Sequence, residues 1–195
     1  MRDRLDHKGT LTLESGRLIL RRYQLEDASD MYHNWACDFD VTRFLSWSPH
    51  ENIDMTKEII EIWMNQYQYD NIYNWGIQLK TSGTLIGGIS VVTLNEMHFS
   101  CEIGYCIGKQ FWGNGFTTEA LMTIIPFLFD CVGMNRISAN HDTKNIASGR
   151  VMQKAGLFYE GTAHQAKRRG DEFYDLATYA ITKDQRGPTH ELSNC

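Results

Sequence analysis

Apolar residues along this chain recur with two periods, and the changes between them mark its elements. Arg17–Arg22 has a short apolar core, Leu18-Ile19-Leu20, and predicts a strand. Ala28, Met31, Tyr32 and Trp35 share one face of a helix over about 27–36, with Asp27 placed to cap it. Ile59, Ile60, Ile62, Trp63 and Tyr67 give a second helix over 54–68 a broad apolar side. The intervening 38–53 are aromatic and irregular, with Trp47-Ser48-Pro49-His50 as a breaker. Strands are then predicted at 75–80, 85–93 and 99–107, the first two joined by a Ser82-Gly83 turn. Gly87-Gly88 inside a strand signals a bulge or a close backbone approach. After residue 115 the period lengthens. Ala120, Leu121, Ile124, Ile125, Leu128 and Val132 fit a helix that Pro126 must kink or split. A short strand at 136–139, a helix at 146–155 stopped by Gly156, and strands at 157–162 and 173–182 complete the order. The last two form a hairpin carrying Lys167-Arg168-Arg169-Gly170. A meander feeding crossover helices predicts an α/β fold. Its mixed central sheet has about seven strands, antiparallel early and parallel near the centre, with flanking helices.

No Gly/Ser linker or repeat divides the chain, and only three prolines occur in its 195 residues. We expect a flexible lead-in over 1–16, a single domain over 17–183 and a polar tail over 184–195. Lys and Arg total 19 and Asp and Glu 24, a net charge of −5, which argues against a groove that tracks nucleic acid. No apolar run reaches the length of a membrane span. The opening MRDRLDHKG lacks the apolar stretch of a signal peptide, and the five cysteines contain no CxxC pair. Both fit a cytoplasmic protein with reduced thiols and no metal.

The chemistry gathers at Gln110-Phe111-Trp112-Gly113-Asn114-Gly115, between a strand and a helix. Glycines there let the backbone turn tightly and expose N–H groups, and a helix start adds a partial positive field. Together they can hold a phosphate. A turn needing glycine for geometry alone has the same sequence. The pattern is neither a P-loop nor the GxGxxG dinucleotide fingerprint.

Wider context separates the two. Glu102-Ile103-Gly104-Tyr105, then Gln110-x-x-Gly113-x-Gly115, then Thr118-Glu119-Ala120 resembles the GCN5-related N-acetyltransferase (GNAT) family. It is most similar to the branch that acetylates the N-terminal amine of ribosomal proteins. The likeness runs from Arg21 and Asp27 through Asn145, Ser148, Met152 and Gly156 to the final hairpin. It implies a GNAT-type sheet splayed between its fourth and fifth strands, and acetyl-CoA as cosubstrate. Backbone N–H groups from Gln110 to Gly115, at the start of the helix opening with Phe116, would hold the pyrophosphate. Those near Tyr105, Cys106 and Ile107 would polarise the thioester carbonyl. Asn145 matches the asparagine that contacts the pantetheine arm, although its position also suits an N-cap. Many members place a tyrosine seven residues later to protonate the thiolate; Met152 stands there and cannot donate. Ser148 is the branch's candidate for that task. Glu102 is the candidate base, or a carboxylate that only positions the acceptor. Glu119 reads as helix support.

The implied acceptor is a primary amine, most simply a protein N-terminus such as that of a ribosomal protein. A small amine (a polyamine, aminoglycoside or amino acid) is the alternative, and a non-catalytic acyl-CoA-binding protein a third. We expect no nucleic acid, no membrane, and a monomer or homodimer.

Overall fold

The computed structural model describes residues 4–186. Its strands are β1 (Leu13–Glu14), β2 (Leu18–Arg21), β3 (Asn74–Leu79), β4 (Leu85–Asn95), β5 (Ser100–Ile107), β6 (Arg136–Asp142), β7 (Phe158–Arg169) and β8 (Glu172–Thr182). They form one sheet in the order β1-β2-β3-β4-β5-β6-β8-β7. The helices are α1 (Ala28–Met31), α2 (Phe39–Thr42), α3 (Ile53–Gln66), α4 (Phe116–Pro126) and α5 (Ile146–Lys154). Two compact units emerge. One holds 7–90 and 105–123, the other 4–6, 91–104 and 124–186, so β4, β5 and α4 contribute to both.

In the first unit β1, β2 and β3 form an antiparallel ladder that continues from β3 to β4. Leu18 and Leu20 are fully buried while Ile19 and Arg21 are half-buried, the alternation a half-buried strand requires. β1 is an addition to the expected order; two residues are too short to show a period. Tyr23, Ala28, Met31, Trp35, Ala36, Ile60 and Leu85 build the core, with Trp47 and Trp63 packed against it. Asp27 does not cap α1 with its side chain. Its carboxylate accepts from Gln24 N at 2.8 Å and pairs with both Arg21 guanidinium ends at 2.7 and 2.8 Å. α1 runs on as a π-turn over Tyr32–Ala36. The stretch expected to be irregular contains α2, capped by Asp38. α3 begins at Asn52, whose side chain accepts from Met55 N at 2.9 Å.

Both readings of Gly87-Gly88 are realised. The β3–β4 register shifts between Ile77 and Gln78. A β-carbon on Gly87 would also strike the Cys106 carbonyl, and one on Gly88 the Tyr23 hydroxyl.

In the second unit β5 and β6 are parallel, registered at Ser100↔Arg136, Cys101↔Ile137 and Glu102↔Ser138. Beyond Glu102 and Ser138 both strands continue without a registered pair, the splay expected between the fourth and fifth predicted strands. β6 pairs along its whole length with β8, antiparallel, and β8 with β7. Pro126 ends α4; the chain continues as a π-turn over Phe127–Val132 and stops at Gly133, which has φ 92°. Gly156, with φ 89°, follows α5 as expected. The late hairpin is longer than expected. Lys167, Arg168 and Arg169 lie in β7, opposite Tyr174, Phe173 and Glu172, so only the Gly170 region forms the tip.

Of the cysteines expected to be reduced, Cys37, Cys101 and Cys106 are free thiols. Cys131 is buried, and Cys195 lies outside the described residues. No described helix is long and apolar enough to cross a membrane.

Candidate functional site

The glycine-rich turn is braced from within. Phe111 N donates to Gly108 O at 2.9 Å and Trp112 N to Lys109 O at 3.1 Å. Asn114 Nδ2 donates to Phe111 O and Trp112 O at 3.2 and 3.1 Å. Trp112 Nε1 ties the turn back to Ile107 O at 2.9 Å. Gly113 and Gly115 both have φ 77°, the left-handed region where a side chain would be strained. A β-carbon on Gly113 would meet nothing within 4 Å, so conformation, not crowding, calls for glycine there. These bonds consume the carbonyls of Ile107, Gly108, Lys109, Phe111 and Trp112, and the amides of Phe111 and Trp112 alone. The leading N–H groups of a helix have no partner within it, and the Glu119 N–H, bonded to Gly115 O at 3.0 Å, is the first of α4 to reach back. The opening of α4 is thus a set of N–H donors over small residues, a cradle that fits a phosphate.

Two further contacts fix the turn. Gln110 Nε2 donates to Asn34 Oδ1 at 2.8 Å, and Asn34 Nδ2 to Leu85 O at 2.7 Å. Lys109 pairs with Asp40. Tyr105 and Cys106 are half-buried and Ile107 buried at the end of β5. Burial pushes the Cys106 thiol up to about 12, against a counteracting bond from the Gly88 backbone, so it stays protonated and unreactive.

Turn and Tyr105–Ile107 belong to the first unit; Glu102, Asn145 and Ser148 belong to the second. Glu102 lies half-buried on β5, on the last registered pair before the ladder ends. Asn145 caps α5, its side-chain oxygen accepting from Ser148 N at 3.3 Å. Ser148 is half-buried one turn into α5, and Met152, on the same helix, is fully buried. Sequence reasoning missed Asn34 and Arg17. Neither has a spacing signal, because their partners stand 76 and 102 residues away. Nor did it single out Asn140, whose side-chain oxygen is buried without a protein partner. Among the described residues no cluster of His, Cys, Asp and Glu could hold a metal.

The acetyltransferase (GNAT) domain family matches residues 17–157. The chain belongs to that family. The uncharacterized N-acetyltransferase YoaA of Bacillus subtilis (strain 168) is 33% identical over 88% of this chain and 96% of its own. A [ribosomal protein uS5]-alanine N-acetyltransferase of Escherichia coli (strain K12) is 29% identical over 50% of each. A GNAT-family acetyltransferase structure from Bacillus anthracis superposes with a TM-score of 0.79 at 22% identity, over 89% of this chain and 99% of that one. This member of the family is therefore an acetyl-CoA-dependent acetyltransferase. Several sub-families are represented among the relatives, so the likeness fixes the reaction and not the acceptor.

Proposed function

We propose that this acetyltransferase acts on the N-terminal α-amine of a protein such as a ribosomal protein, by direct attack of the amine on the thioester. The observation that carries the donor half is the amide-lined opening of α4 behind Gly113 and Gly115. The N–H groups of the Gln110 to Phe116 segment hold the pyrophosphate, apart from those of Phe111 and Trp112, which bond within the turn, and those near Tyr105, Cys106 and Ile107 polarise the thioester carbonyl. Asn145 contacts the pantetheine arm while its side chain caps α5. Ser148 assists the departing thiolate. Glu102 takes the proton from the amine, directly or through water, from a strand that holds it rigidly. The acceptor half is supported by the motif blocks shared with the ribosomal-type branch and by Met152 in place of a donor tyrosine. A relative named for the alanine of a ribosomal protein supports it too.

The test is mass spectrometry of a mixed panel of peptides and small amines incubated with the protein and acetyl-CoA. Acetylated peptide N-termini are expected; acetylation confined to polyamines or aminoglycosides would overturn the acceptor assignment. Glu102→Gln is expected to lower kcat by about 100-fold and remove the acid limb of the pH–rate profile. A raised KM for the amine with kcat and profile unchanged would make Glu102 a positioning carboxylate instead.

A further inference from the structure

Arg17, in the turn before β2, reaches α4 and the glycine-rich turn at once. Its Nε and Nη2 both lie 2.6 Å from Glu119 Oε2, and its own backbone N–H donates to Glu119 Oε1 at 2.8 Å. Ser15 Oγ donates to the same Oε1 at 2.7 Å and accepts from Leu18 N at 3.1 Å. The remaining end, Nη1, donates to Asn114 O at 3.1 Å. The guanidinium carbon stands 4.5 Å from the centre of the Phe116 ring, and Nη2 is 3.7 Å from where a Gly115 β-carbon would be. One side chain thus contacts or borders Asn114, Gly115, Phe116 and Glu119, four residues of the turn and the first helical turns behind it. All these groups lie in the first unit. An ion pair half exposed on the Arg side contributes little stability by itself. Its geometry is specific: one rigid, planar fork serves the Glu119 carboxylate and the Asn114 carbonyl together.

We propose that Arg17, held by Glu119, is a positioning residue for the coenzyme: it fixes the Asn114 peptide so that the following N–H groups face the phosphates. Occupying the Asn114 carbonyl turns that peptide's acceptor toward Arg17 and away from the anion. The inference rests on the assignment of this turn to the pyrophosphate.

The experiment uses the full chain with coenzyme A as probe. Calorimetry should give Arg17→Met a dissociation constant about tenfold weaker than the parent. Arg17→Lys, which keeps the charge and loses the fork, should recover only part of that loss. In amide spectra of the free protein, Arg17→Met should displace the Asn114, Gly115 and Phe116 resonances. Coenzyme A should shift those same amides in the parent. Should Arg17→Met fail to fold, Arg17→Lys carries the test with the same sign. Parent amides unmoved by coenzyme A would overturn the pyrophosphate assignment itself. Parent amides that respond, with both variants binding within twofold of the parent, would leave that assignment standing and overturn the role of Arg17. A lower melting temperature with unchanged affinity and unmoved turn amides would make the clamp merely structural, and would overturn it too.

Discussion

Gly88 shows how one missing β-carbon can decide a strand. It pairs with Gly76 across β3 and β4, and a methyl group added there would fall on the Tyr23 hydroxyl oxygen. The next nearest atoms, Trp75 O and Tyr23 Cζ, are at an ordinary 3.5 Å, so the hydroxyl alone forbids the side chain. Gly88→Ala should therefore destabilise the protein by about 1–3 kcal/mol through overpacking. Tyr23→Phe removes the obstructing atom, and the double variant should regain most of the loss, a coupling of roughly 1–2 kcal/mol in urea unfolding. Additive losses would place the strain elsewhere in β4. The Tyr23 ring is buried, and burial holds its hydroxyl well above its ordinary pKa, so the group is neutral throughout the test.

At the scale of elements, the start of α3 depends on a histidine ahead of the helix. His50 N donates to Ala36 O at 2.8 Å, and its Nδ1 lies 2.8 Å from the hydroxyl of fully buried Thr56. The His50 ring also stands 5.2 Å from Trp47. Burial lowers the His50 pKa below its ordinary 6.5, because the interior disfavours the charged ring. The unfolded chain then binds a proton more readily than the folded one. This contribution to stability is complete above pH 6.5 and is lost as pH falls through the lowered folded value. The unfolding free energy should decline between pH 7.5 and 5.5, and His50→Gln should decline less. Equal declines would assign the effect to other groups.

The sequence showed α3 through its apolar stripe, yet hid this support, because a histidine beside a proline gives no periodic signal. The same limit applies at α2 and β1, each too short for a period, and at Asp27, whose spacing suggested a cap while Arg21 claimed its carboxylate. It applies most to the turn at 110–115. Its glycines and the helix after it were legible from local order. The Asn34 and Arg17 contacts that hold it were not, since only folding brings such distant residues together.

For the whole molecule, the net charge of −5 raises the question of how the protein holds a polyanionic coenzyme. Several of its cations are committed to its own carboxylates. Arg17 pairs with Glu119, Arg21 with Asp27, Lys109 with Asp40, Arg136 with Glu160, Arg168 with Asp171 and Arg169 with Asp142. The basic run of the late hairpin thus has two of its three cations in such pairs. Backbone amides at the start of α4 need no such excess, and their dipoles are short-ranged. Screening by salt weakens interactions between separated charges far more than hydrogen bonds at contact. The dissociation constant for coenzyme A should therefore change by less than about threefold between 0.05 and 0.5 M NaCl. A loss of tenfold or more over that range would mean that side-chain cations carry the phosphates. In that case Lys167, Arg168 and Arg169 would be the first to replace, and the affinity of the Arg168→Gln variant would show whether the hairpin supplies the charge that the turn does not.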